Sequence, residues 1–215
     1  MIFKQIKSGG DRNFAYLIGC QISNKCVLID PSPDPQICEI EVEKTGLELV
    51  YIINTHSHID HIAGNDYFCK DKKIKLITHP KGNGDLKIED TKEISLSKDK
   101  NSLNLMFLYT PGHTGDSICI KAENNLVTGD TLFVGKVGGT YTEEDAREEF
   151  NSLIKIMKLP PKTIIWPGHN YGTSSQSTIE TEIKTNPFIK KLNEFEDFIW
   201  LKNNWAEFKL RNNIK

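Results

Sequence analysis

Apolar runs of strand length, separated by short polar or turn-forming stretches, set the rhythm of this chain. Residues 13–18 and 25–30 predict two strands flanking a turn at Ser23-Asn24-Lys25. The segment Asp30-Pro31-Ser32-Pro33-Asp34-Pro35 breaks the pattern, because its prolines carry no amide proton for regular hydrogen bonding. Residues 36–45 mix Ile37, Ile40 and Val42 with charged side chains and predict a solvent-facing helix ended by Gly46. Leu49-Val50-Tyr51-Ile52-Ile53 predicts a buried strand, 64–70 a short helix and 73–78 another strand. Residues 82–99 are polar and predict a surface loop with weak strands. Further strands are expected at 103–109, 116–121, 126–128 and 162–166. Between the last two, Thr142 is set to cap a helix to about Lys158, with acidic residues gathered in its first turn.

Beyond residue 171 the period changes. Ser177-x-x-Glu180 has the form of a capping box opening a short helix to Lys184. Asn186-Pro187 then predicts the start of a longer helix, since Phe188, Leu192, Phe195, Phe198, Leu201, Trp205 and Phe208 recur near helical spacing. The expected organisation is one metal-site domain over 1–187, with an aromatic-rich C-terminal helix over 188–215 packed on it. The fold class is α/β.

Composition narrows the function classes. A hydrophobic content of 38%, a charged content of 26% and a formal net charge of −2 describe a globular chain without the basic surface that nucleic acid or anionic membrane would require. Residues 1–7 carry no apolar core of the signal-peptide kind, and no run is long enough to span a bilayer. The expectation is a soluble cytoplasmic protein without nucleic-acid or membrane partners, its oligomeric state open and a homodimer among the options. The five cysteines form no C-x-x-C pair; Cys20 and Cys26 flank the first turn closely enough to bridge, but reduced thiols are the expectation in a cytosolic protein.

The chemistry is concentrated where the apolar runs stop. Directly after Ile53 comes Thr55-His56-Ser57-His58-Ile59-Asp60-His61, three imidazoles and a carboxylate within six residues. Donors so close together repel protons and leave lone pairs unpaired unless a cation fills the space between them. His113 follows the strand at 103–109 through Thr110-Pro111-Gly112, Asp130 follows the strand at 126–128, and His169 follows the strand at 162–166. In a layered α/β protein such strand ends gather at one rim of a sheet. His79 also ends a strand but fits no ligand spacing, and is expected to be a loop histidine.

These motifs resemble the metallo-β-lactamase fold superfamily. His56-x-His58-x-Asp60-His61, Thr-Pro-Gly-His113-Thr, Gly-Asp130-Thr-Leu-Phe and Pro-Gly-His169-x-Tyr171 are most similar to its glyoxalase II (hydroxyacylglutathione hydrolase) branch. The resemblance implies a four-layer αββα sandwich and a two-metal centre. It implies one ion on His56, His58 and His113, a second on Asp60, His61 and His169, and Asp130 bridging them. The cofactors expected are two divalent ions, zinc first, with iron or a mixed pair as alternatives. Tyr171 matches a family tyrosine, and Lys136 is a candidate substrate contact. The stretch Val134-Gly135-Lys136-Val137-Gly138-Gly139-Thr140 departs from the Gly-Cys-Gly-Lys type found in that branch. Arg12, like Lys136, reads first as surface charge and second as a contact for an anionic substrate.

Two divalent ions about 3.5–4 Å apart bring a shared water toward ionisation at neutral pH and polarise a carbonyl. A thioester suits a hydroxide held between them, because a thiol with a pKa of about 8.5 departs with little protonation. The expected function is hydrolysis of a small-molecule thioester, hydroxyacylglutathione or a similar small-thiol ester, with Asp60 also orienting the nucleophile. The alternative is a persulfide dioxygenase with a single iron on His56, His113 and Asp130; a non-catalytic metal-binding protein is the third reading.

Overall fold

The computed structural model describes residues 1–70, 74–96 and 103–212. Within them the apolar runs build two six-stranded sheets. The first takes its strands in chain order: β1 (Ile2–Gly9), β2 (Asn13–Cys20), β3 (Lys25–Ile29), β4 (Glu48–Ile53), β5 (Lys75–Thr78) and β6 (Leu86–Lys87). The second begins with β7 (Glu93–Ser95), β8 (Asn104–Tyr109), β9 (Ile118–Ala122) and β10 (Asn125–Gly129). A small hairpin of β11 (Leu132–Phe133) and β12 (Lys136–Val137) intervenes before β13 (Ile164–Pro167) and β14 (Ser177–Thr178) complete it, in the spatial order 14-13-10-9-8-7.

The sheets pack face to face. Tyr16, Ile18, Val27, Ile53 and Ile77 of the first meet Leu105, Phe107, Ile120 and Val127 of the second in one cluster. Tyr16 also ties the layers together, its buried hydroxyl donating to the Pro167 carbonyl at 2.5 Å. The outer face of the first sheet is covered by α1 (Pro35–Glu43) and α3 (Asn65–Cys69), through Cys38, Val42 and Phe68. The outer face of the second is covered by α4 (Glu143–Met157), α5 (Ile179–Thr185) and α6 (Phe195–Asn203), through Ala146, Leu153, Ile179, Phe198 and Leu201. The architecture is therefore the expected αββα sandwich, with each sheet buried on both faces, which is why its strands read as continuous apolar runs. No described helix is long and apolar enough to cross a membrane.

Local expectations hold where the chain itself supplies the hydrogen bonds. Thr142 Oγ1 accepts from the Asp145 amide at 3.1 Å, and the Asp145 carboxylate accepts from the Thr142 amide at 2.9 Å, closing a capping box at α4. Cys20 and Cys26 do not bridge, and all five cysteines are free. Cys20 packs into the cluster between the sheets and Cys26 into the one beneath α1, so their side chains leave the sheet on opposite faces.

Three expectations need correction. β1 has no counterpart in the apolar pattern, because it is a half-exposed edge strand with lysines and a glutamine along it. The short C-terminal helix is capped by Thr178, which accepts from the Thr181 amide at 3.2 Å, while Ser177 pairs in β14. The single long helix after Pro187 is instead a 3-10 turn (Ile189–Lys191), α6, and α7 (Trp205–Arg211). Asn186 explains the first interruption: its amide donates to Lys136 O and Glu182 Oε2 while its oxygen accepts from the Phe188 amide. Asn204 marks the second, its side chain turned back onto the Trp200 carbonyl.

Candidate metal centre

The strand ends converge as their spacing implied. β3 delivers Asp30, β4 delivers residues 54–61, β8 leads to His113, β10 to Asp130 and β13 to His169. The loop after β4 closes with a one-turn helix, α2 (Ile59–Ile62), which swings Asp60 and His61 back toward His56. Among the described residues, three donor groups lie within 4.8 Å internally: His56, His58 and His113; Asp60, His61 and His169; and Asp30, His56 and His61. Asp130 lies between the first two, its carboxylate oxygens 3.3 Å from His169 Nε2, 3.5 Å from His61 Nε2 and 3.7 Å from His113 Nε2.

Outer hydrogen bonds decide which nitrogen of each ring faces inward. His61 Nδ1 lies 2.9 Å from Asp30 Oδ2, His169 Nδ1 lies 2.9 Å from the Asp11 carbonyl, and His113 Nδ1 lies 2.8 Å from the Gly139 carbonyl. These oxygens accept only, so each outer nitrogen carries a proton, and in the neutral ring each Nε2 turns a lone pair to the centre. Thr55 Oγ1 gives its hydrogen to Asp30 Oδ2 at 2.6 Å and so receives one from His56 Nδ1 at 3.0 Å. The outcome is electrostatically unfavourable without a cation. His61 Nε2 faces His169 Nε2 at 3.2 Å, and His113 Nε2 faces His58 Nδ1 at 3.0 Å. His56 Nε2 and Asp130 Oδ1 are buried with no hydrogen-bond partner at all. Buried orphaned acceptors of this kind cost several kcal/mol unless a proton or a metal satisfies them, and a donor set of imidazoles and carboxylates fits a divalent ion.

Titration shows where a proton takes the place of a cation when none is bound. Burial, reinforced by the neighbouring imidazoles, pushes His56 well below its ordinary value, so it stays neutral and available as a donor. Burial also acts against charging His61, but Asp30, Asp130 and Asp60 outweigh it and raise the ring to about 9. For protein stripped with a chelator this fixes a sign. A raised histidine contributes stability that is complete below its ordinary 6.5 and is lost as pH rises through about 9. Stripped protein should therefore lose thermal stability across that alkaline window, and reloading near neutral pH should release protons. Thermal melts, and calorimetric titration in two buffers of different ionisation enthalpy, check both.

Two residues that the sequence reasoning passed over hold the centre in place. Asp30 accepts from the Thr55 amide at 2.8 Å as well as from Thr55 Oγ1 and His61. It had the same signal as the others, a carboxylate at the end of an apolar run, but was read as the start of the proline break. Asn13 donates to Asp60 Oδ2 at 3.0 Å, leaving the Asp60 side chain 39% exposed to face a ligand. His79 stands apart, stacked on Tyr109 with ring centroids 4.1 Å apart.

A cavity of about 410 Å³ adjoins the centre, lined by Phe133, Lys136, Gly139, Tyr171, Lys202 and Trp205 among others. Tyr171 stacks on His169 at 4.6 Å and donates its hydroxyl to Asp11 at 2.7 Å. Lys136 donates to the Tyr171 carbonyl at 2.9 Å, and Arg12 lies 4.7 Å over the Tyr171 ring.

The model of the metallo-beta-lactamase superfamily matches residues 8–169. The chain belongs to that superfamily. It is 31% identical over 199 residues to the probable hydroxyacylglutathione hydrolase glo2 of Schizosaccharomyces pombe, covering 87% of this chain and 75% of that protein. It is 32% identical over 187 residues to the human mitochondrial persulfide dioxygenase ETHE1, covering 81% of this chain and 70% of that one. The crystal structure of ETHE1 from Myxococcus xanthus matches with a TM-score of 0.85 and 28% identity, covering 95% of this chain and 91% of that chain. The chain spans 63% of the hydroxyacylglutathione hydrolase of Nitrosococcus oceani, so it is shorter than some of its relatives. Membership and the convergent donors together make it a divalent-metal-binding enzyme.

Proposed function

We propose that this chain hydrolyses a thioester of a small thiol at a centre of two divalent ions, zinc first among the candidates. The observation that carries the reading is the doubled set of inward lone pairs: His56, His58 and His113 form one compact donor group, and Asp60, His61 and His169 a second. In this reading Asp130 serves both groups. When bound, such ions supply a water acidified toward neutrality and a Lewis acid for a carbonyl. The chain's own residues do the rest. Asp60, held by Asn13 and partly open to solvent, orients the attacking water. Asp30, Gly139 and Asp11 keep His61, His113 and His169 in the tautomer that donates inward. The cavity beside Tyr171 and Lys136 receives the thiol half, residues 1–187 acting as the hydrolase unit and the segment after Pro187 closing one side. The similarity to hydroxyacylglutathione hydrolases supports a thioester, and glutathione is the first thiol to test.

The second reading, persulfide dioxygenation at a single iron, is favoured by the agreement with ETHE1 over nearly the whole chain. Activity assays separate the two. We expect thioester hydrolysis without oxygen uptake, and negligible turnover of β-lactams. Oxygen consumption with glutathione persulfide, alongside inert thioesters, would replace the first reading with the second.

A further inference from the structure

Helix α6 reaches the centre through a buried ion pair. Lys202 is 9% exposed in its side chain, and it donates both to the fully buried Glu149 of α4 and to the Gly138 carbonyl, the latter at 2.7 Å. The backbone at Gly138 lies directly under the site, where a β-carbon would stand 2.1 Å from the Asp130 carbonyl and 3.0 Å from His113 Nδ1. The next carbonyl, Gly139, accepts from His113 Nδ1 at 2.8 Å. Glu149 is also pressed against the other side of the same histidine's loop. Gly112, at φ +136°, has room for no β-carbon, which would lie 2.3–2.4 Å from Glu149. One backbone segment that holds His113 thus packs on the α4 main chain and Cβ of Glu149, and the other lies beside the Glu149 carboxylate, to which Lys202 joins it.

We propose that Lys202 is a positioning residue for the metal centre: its ammonium clamps the Gly138 carbonyl to Glu149 and so fixes the Gly139 carbonyl that keeps His113 Nε2 turned inward. This rests on the reading of His113 as a ligand. It makes the C-terminal segment part of the centre's support, although among the described residues none after His169 supplies a donor to it. A group that hydrogen-bonds a metal ligand typically changes metal affinity about 10- to 100-fold when lost, and Lys202 acts one step further out, through the backbone beside such a group.

The test uses the full chain in three forms: wild type, Lys202→Met and Lys202→Arg. The first readout is the His113 Nδ1 proton in ¹⁵N-histidine-labelled protein treated with chelator, which depends on the Gly139 bond and on no metal. We expect a protected proton in wild type and in Lys202→Arg, and rapid exchange with water in Lys202→Met. The second is cobalt(II) affinity and its visible spectrum, with an expected loss of about tenfold in Lys202→Met and rescue in Lys202→Arg. A Lys202→Met protein that keeps the protected proton overturns the proposal, whatever its melting temperature. So does one that raises KM with an unchanged cobalt spectrum, which would make Lys202 a substrate contact. Should wild-type protein bind no cobalt, the ligand reading fails, and the proton readout still decides whether Lys202 sets the ring. If Lys202→Met does not fold, the double variant Glu149→Gln/Lys202→Met removes the uncompensated carboxylate and is judged by the same two readouts.

Discussion

Asp130→Ala should remove metal and activity together. The residue is buried and its two oxygens lie within 3.7 Å of three imidazole nitrogens belonging to both donor groups. Burial alone would raise the Asp130 carboxyl, yet the hydrogen bond to His169 and the charges of His61, His169 and His113 hold it below the ordinary range. It therefore presents a full negative charge to the centre at neutral pH. Alanine deletes that charge and leaves His61 and His169 facing each other with less to offset a cation. Loss of a supporting group alone costs about 10- to 100-fold in affinity, so loss of a shared ligand should exceed about 100-fold. Metal content after dialysis and thioester turnover should fall in parallel. A variant that kept its metal and wild-type turnover would show that Asp130 is no bridge.

The second large effect separates histidines that look alike in sequence. His113, His169 and His79 each follow an apolar strand. His169→Ala removes Nε2 from within 3.3 Å of both Asp60 and Asp130, and His113→Ala removes the nitrogen facing His58. Either change should abolish most activity, with His113→Ala weakening the first donor group and His169→Ala the second. His79 stacks on Tyr109 and accepts from the Lys81 amide at 3.3 Å, and it belongs to none of the described donor groups. His79→Ala should leave metal stoichiometry and rate nearly unchanged, at the stability cost of a lost ring contact of about 1 kcal/mol. Equal damage from His79→Ala and His169→Ala would mean the centre is built from a different set of residues.

How far these features can be read from sequence follows from what encodes them. Continuous apolar runs mark strands buried on both faces, and the runs ending at Ile53, Tyr109, Gly129 and Pro167 pointed to one rim. β1 escaped because an edge strand carries polar side chains by design. Asp30 carried the signal of a carboxylate ending an apolar run, but the prolines after it masked that; Asn13 escaped because a residue that holds a ligand has no spacing rule of its own, and its partner Asp60 reaches it only when sheet pairing is complete. The C-terminal helix was overextended because helical spacing of aromatics says which residues are buried, not whether one axis carries them. The side chains of Asn186 and Asn204 decide that through hydrogen bonds formed in the folded chain. Lys202 was one lysine among many until Glu149 and Gly138 were beside it.

We propose a two-ion centre on His56, His58, Asp60, His61, His113, Asp130 and His169. Its most direct test is the ratio of metal to chain in protein purified without added ion. We expect two divalent ions per chain, both removed by chelator and both restored together with thioester hydrolysis. One iron per chain, with full activity and no second ion taken up on titration, would contradict it.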